Sequence, residues 1–217
     1  MLHELVRTWL GWVDAWGYTG VFLLMALESS IIPVPSEIVV PPAAFWAAQG
    51  RMDFGMVILV ATLGSYVGSA ISYFVSKQVG LPVIRKYGKY FLLSEEKLNG
   101  AQVWVEHYGA FGIFVSRLLP VVRHLISIPA GVVRMSFIKF SAATLAGAAI
   151  WCSVLAWFGR EVIGAQPELL NSPEALTAAL KAKLHWIVAG VLVLTVLYVG
   201  VQVALKSARR RKLTAPY

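Results

Sequence analysis

Five long apolar stretches, at about 16–48, 55–81, 108–133, 137–159 and 185–205, alternate with shorter polar segments along the chain. A membrane-spanning helix needs about 20 predominantly apolar residues. The second, fourth and fifth stretches reach that length without internal proline. The first contains Pro33, Pro35, Pro41 and Pro42, and the third contains Pro120 and Pro129. Each proline lacks a helix donor and clashes with the preceding turn. Broken backbone at membrane depth survives only where protein buries it or where it lines a wet cavity. The first and third stretches therefore read as cavity walls rather than anchors, with Pro33, Pro35, Pro120, Pro129 and Gly131 shaping their turns. Between stretches two and three, Leu92–Tyr108 predicts an interfacial amphipathic helix. Ser94 is its N-cap, Glu95 and Glu96 complement its dipole, and Leu98, Ala101, Val105 and Tyr108 share a face.

The two broken stretches resemble each other. Trp16-Gly17-Tyr18-Thr19-Gly20-Val21-Phe22 matches Tyr108-Gly109-Ala110-Phe111-Gly112-Ile113-Phe114, and each run continues through a proline-bearing polar segment to Pro42-Ala43 or Pro129-Ala130. Each is then followed by an unbroken helix rich in small residues, where Gly64, Gly68 and Ser72, or Ala143 and Gly147, suit close helix packing. The unit is a broken segment followed by a spanning helix, used twice.

Charge sets how the units sit. The tail residues Lys206, Arg209, Arg210, Arg211 and Lys212 belong on the cytoplasmic side. Counting back, the 160–184 loop is external and Arg134 and Lys139 are internal, as is the 82–107 segment with Arg85, Lys86, Lys89 and Lys97. Both flanks of stretch three are then cytoplasmic, so it enters and returns. Stretch one becomes a re-entrant loop from the outside, and the two repeats are inverted, with broken hairpins meeting near the midplane as in secondary transporters. Residues 1–15 form an external amphipathic segment in this scheme. A spanning first segment with an internal N-terminus is the alternative. The division expected is a core at 16–160 (repeat one 16–81, linker 82–107, repeat two 108–160), an external loop at 161–184, a C-terminal spanning helix at 185–205 and a basic tail at 206–217.

Composition narrows the class. The chain of 217 residues is 58% hydrophobic and 14% charged, against about 25% charged for a soluble domain. Its net charge of +8 sits at the ends of apolar spans, which fits anionic lipid head groups rather than nucleic acid. Its single cysteine, Cys152, excludes a disulfide framework. Residues 1–16 carry Arg7 and Asp14 and do not read as a cleavable signal peptide. Trp9, Trp12, Trp16 and Trp46 suit an interface belt.

Four charges remain inside the broken stretches: Glu28 and Glu37 in the first, Arg117 and Arg123 in the third, with His124 adjoining. Unpaired at membrane depth they would cost roughly 10 kcal/mol on insertion scales, so pairing or water must offset most of it. A structural ion-pair network would meet that need as well as a transport site. Arginine binds phosphate bidentately and keeps its charge at any working pH, so Arg117 and Arg123 suit a phosphate that must cross a bilayer. A carboxyl group in an apolar setting can load and release a proton. His124, Ser36 and Tyr73 are accessory candidates. No zinc-protease motif, serine-hydrolase elbow or P-loop is present, and an enzyme is not expected. The four histidines are scattered, so neither a metal nor a soluble cofactor is expected.

Glu28, Pro33, Pro35 and Glu37, combined with Arg117, Pro120, Arg123, Ala130-Gly131 and Met135, resemble the motifs of the DedA (VTT-type) family of membrane proteins, and Gly64, Gly68 and Tyr73 fit it too. The resemblance covers about residues 16–160. It implies that Arg117 and Arg123 serve as head-group ligands and that Glu28 and Glu37 couple protons. It further implies an all-α polytopic membrane protein of the bacterial cytoplasmic membrane, with a cytoplasmic C-terminus, that recycles undecaprenyl phosphate at the expense of the proton-motive force. Other members are linked to phosphatidylethanolamine, and related eukaryotic proteins are scramblases. Some members carry Gly-Asp where this chain has Ser36-Glu37. A phospholipid flippase or scramblase and a membrane scaffold are the competing functions; the expected partners are lipids and protons, and a homo-oligomer is left open.

Overall fold

The computed structural model describes residues 2–30, 35–87, 95–119 and 122–165, with the side chains of 2–7, 10, 80–87, 95–98 and 162 left undescribed. These residues are helical, and no strand occurs among them. Helices α1 (Leu2–Trp16), α2 (Tyr18–Glu28), α3 (Ser36–Ala48) and α4 (Phe54–Tyr87) form the first half. Helices α5 (Glu95–Arg117), α6 (Ser127–Val132) and α7 (Phe137–Phe158) form the second, and a π-helical turn, Gly159–Ile163, closes it. Among the described residues, Phe54–Val79 and Phe137–Glu161 are long and apolar enough to cross a membrane. The stretch at 185–205, Ser94, Pro33 and Pro120 lie outside the described residues.

Helix α4 is the central packing element, in contact with α2, α6 and α7. Its glycines make that possible. A Cβ on Gly68 would lie 2.0 Å from the Ala26 carbonyl oxygen, and one on Gly64 would lie 2.4 Å from that of Phe22. The α2 backbone therefore rests directly on α4. On the α6 side the relation reverses: a Cβ on Gly131 would stand 2.3 Å from the Tyr73 carbonyl oxygen. Gly131 thus allows close packing of α6 against α4. Asp53 starts α4 as a side-chain N-cap, its Oδ1 accepting the Met56 N–H at 2.7 Å. Past the end of α2, the Ser72 hydroxyl donates to the carbonyls of Ser29 and Ser30 at 3.2 and 3.1 Å. Groups freed by the broken helix are in this way satisfied by its neighbour.

The prolines do not all break helices. Pro35 is the N-cap of α3, whereas Pro41 and Pro42 lie inside that helix. Its break falls earlier, between Glu28 and Ser36. A Cβ on Gly159 would meet the Pro41 carbonyl oxygen at 2.1 Å, so the π-helical turn packs directly over the proline pair. Pro129 lies within α6, near its start.

The sequence repeat has a matching backbone signature. Gly17 (φ 56°, ψ −126°) and Gly109 (φ 53°, ψ −131°) adopt nearly the same conformation, which side-chain-bearing residues avoid. Gly109 breaks α5 into two helical segments, so the amphipathic segment ends at Tyr108, as expected, and a second segment runs on past the kink to Arg117. Helices α3 and α6 also end alike. Gly50 N–H bonds to Ala47 O and Arg51 N–H to Trp46 O; Arg134 N–H bonds to Gly131 O and Met135 N–H to Ala130 O. Both are Schellman ends, with the left-handed position filled by Gly50 (φ 78°) in one half and by Arg134 (φ 52°) in the other. Tyr73 Oη donates to Met135 O and its ring stacks on Phe140 at 4.8 Å, which pins the α6–α7 turn to α4.

Candidate head-group site

Each half places a charged residue at the last position of a helix and a serine at the first position of the next. In the first half these are Glu28 and Ser36, and the Ser36 N–H donates to Glu28 Oε1 at 2.9 Å. A carboxylate at the N-terminus of α3 is favoured by the exposed amide donors and the helix dipole. In the second half they are Arg117 and Ser127, and Arg117 Nη2 donates to Ser127 Oγ at 2.6 Å. A guanidinium at the C-terminus of α5 is favoured for the mirror reason. Arg123, in the turn between α5 and α6, joins the halves: its Nη2 donates to both Glu28 Oε1 and Ser36 Oγ. The sequence thus brings Glu28, Ser36, Arg117 and Arg123 together from positions up to 95 residues apart.

The cluster is buried. Glu28 is 3% exposed, Arg117 3% and Arg123 5%. Among the described residues, two buried guanidiniums therefore stand against one buried carboxylate. Their hydrogen bonding is incomplete: Arg117 Nε, Arg123 Nε, Glu28 Oε2, His124 Nδ1 and Thr144 Oγ1 are buried without a protein partner. Glu37 is half-buried beside them, with Ser36 Oγ donating to its Oε2 at 3.4 Å. His124 is also half-buried and lies within electrostatic range of Arg123, Glu37 and Arg117. Tyr73 and Gly131 are elsewhere, at the α4–α6 contact, and their observed work is packing.

Helix α7 supplies a wall that sequence reasoning did not assign to the site. A Cβ on Gly147 would lie 2.5 Å from Arg117 Cβ, so the missing side chain is what admits that arginine. One turn on, Trp151 lies under Arg123, with the guanidinium carbon 5.0 Å from its ring centroid and its Nε1 3.4 Å from Ser36 Oγ. Thr144, Gly147 and Trp151 recur at helical spacing and share one face of α7. The available signal was a tryptophan well inside an apolar helix, away from the interface positions this residue usually prefers.

A family model for the VTT domain matches residues 32–161, a span that takes in Ser36, Glu37, both arginines and Trp151. The chain belongs to the VTT-domain (DedA) family. Glu28 lies just ahead of the matched VTT span. Undecaprenyl phosphate transporter A of Bacillus subtilis is 31% identical over 74% of this chain and 79% of its own length. Undecaprenyl phosphate transporter A of Staphylococcus aureus is 32% identical over 68% of this chain and 75% of its own. A Lactococcus lactis relative called alkaline phosphatase-like protein is 33% identical over 68% of this chain and 71% of its own. No solved structure gives a significant match to this VTT protein.

Proposed function

We propose that this VTT protein moves a phosphate-bearing lipid between leaflets, with undecaprenyl phosphate as its substrate. The observation that carries the reading is the excess of buried cationic charge. Arg117 and Arg123 each hold an Nε donor without a protein partner, against Glu28 as the one buried carboxylate among the described residues. A phosphate supplies the missing charge and accepts from guanidinium edges in its preferred geometry. The names of the Bacillus and Staphylococcus relatives support the same lipid.

In this reading Arg117 and Arg123 are the phosphate ligands. Glu28 occupies Arg123 while the site is empty, and an arriving phosphate competes for that guanidinium. Protonation of Glu28 weakens its hold on Arg123 and frees the arginine for the head group; its unpartnered Oε2 is the atom positioned to take the proton. Glu37, half-buried beside Ser36, passes protons between this site and water. The lipid tail stays in the bilayer while the head group crosses. The matching conformations of Gly17 and Gly109, and the two Schellman ends, support two related repeats, which in this reading are inverted, each with a re-entrant break. Residues 16–160 are the transport core, 185–205 a further span, and the basic tail faces the cytoplasm across the cytoplasmic membrane.

Leaflet exchange of labelled undecaprenyl phosphate in proteoliposomes under an imposed pH gradient tests this, with phosphatidylethanolamine as a parallel substrate. Gradient-driven exchange of the isoprenyl phosphate alone, lost in R123K and E28Q, is the expected result. Equal movement of both lipids without a gradient replaces coupled transport with scrambling. Movement of neither by folded protein replaces it with a scaffold. Inorganic phosphate released from the lipid, and abolished by H124A, replaces it with a phosphatase.

A further inference from the structure

Arg123 is held by two kinds of contact that use different parts of its guanidinium. Nη2 bonds to Glu28 and Ser36, the guanidinium carbon lies over the Trp151 ring at 5.0 Å from its centroid, and Nε is left without a protein partner. Hydrogen bonds run in the guanidinium plane through its N–H groups, whereas cation–π attraction acts on the positive charge along the normal of the aromatic ring. The indole can therefore hold the charged group in place without occupying any donor. When a phosphate displaces Glu28, the hydrogen-bond restraints change and the cation–π contact is the one that persists.

Trp151 is well placed for that role. It is 1% exposed, sits on the rigid α7, and its Nε1 reaches Ser36 Oγ, the same oxygen that accepts from Arg123. Indole is the strongest cation–π partner among side chains, and the attraction grows when both groups are desolvated. We infer that Trp151 is a positioning residue that holds the Arg123 guanidinium over its ring, in place for phosphate, throughout its exchange between Glu28 and the lipid head group. The inference rests on Arg123 as a phosphate ligand, and goes beyond it by assigning a residue that touches no lipid.

The competing account is that Trp151 merely fills the core. The two accounts separate by substitution, because leucine and methionine fill space without a π face whereas phenylalanine keeps one. In the proteoliposome assay, W151F should retain lipid phosphate transport within about threefold, while W151L and W151M should raise the apparent KM for the lipid by about tenfold or more. Equal activity of W151F, W151L and W151M would overturn the inference. A second measurement avoids transport altogether. In protein labelled with 5-fluorotryptophan, the fluorine signal of Trp151, identified by its loss in W151F, should shift in R123M. An unmoved signal would likewise reject the contact, including where W151L or W151M fails to fold. Wild-type protein that moves no lipid phosphate would defeat the proposed function instead, and the R123M spectrum would still report whether Trp151 holds Arg123.

Discussion

At the scale of single residues, the Glu28–Arg123 pair poses the sharpest question, because an ion pair that holds a fold together and one that works in transport look alike in a static structure. Stability measurements separate them. Removing one partner of a buried pair leaves an uncompensated charge and typically costs about 3–5 kcal/mol, whereas replacing both with apolar groups of similar volume is often neutral. E28A and R123A should each lower stability in detergent by an amount of that order. The double variant E28L/R123M should recover most of it and still move no lipid phosphate. A double variant that regained transport along with stability would make the pair structural. R123K is the complementary case. It keeps the charge but loses the planar fork and the guanidinium contact with Trp151, so transport should fall about tenfold or more while the fold survives.

Between elements, backbone contact replaces side-chain packing, and glycines decide where. Alanine at position 147 would push against Arg117 Cβ, and alanine at position 68 would press on the Ala26 carbonyl. Overpacking typically costs about 1–3 kcal/mol, but the readouts should differ. G68A should separate α2 from α4 and reduce thermal stability. G147A should displace Arg117 and reduce transport more than stability. Arg134 gives the opposite sign. It occupies a left-handed position at φ 52° that Gly50 fills in the other half, so R134G should raise stability by about 0.5–1 kcal/mol with transport retained. Much of this architecture is legible in the chain. The repeat around Gly17 and Gly109, the small-residue faces of α4 and α7, and the four charges all announce themselves because lipid penalises polar groups and broken backbone. The rest is not local. Pro41 and Pro42 continue a helix because the break is made earlier, at Glu28–Ser36. Trp151 joins the site only because α7 packs across the turn that carries Arg123.

The whole molecule is defined by how these halves lie across the bilayer, and the buried charge cluster makes a topological demand. Glu28 and Ser36 flank one helix break, Arg117 and Ser127 flank the other, and Arg123 ties both to a common depth. If each break is the tip of a re-entrant hairpin, α5 and α6 enter and leave on one side, and the spanning helices α4 and α7 run in opposite directions. Exposed single-cysteine positions then sort in a defined way in a C152A background, where the buried native thiol cannot contribute. Q49C and E161C should react with an impermeant maleimide in intact cells. G100C and I138C, on either side of the second break, should react only after permeabilisation, in keeping with the inward bias of Arg134 and Lys139. The decisive comparison is G100C with I138C. If the segment between them crossed the membrane, the two would label from opposite sides. The second half would then span where the first turns back, and the shared depth of Arg117 and Arg123 would have to arise without inverted symmetry. Labelling from the same side places both arginines at the tip of a hairpin that returns to the cytoplasm, facing Glu28 from the other half.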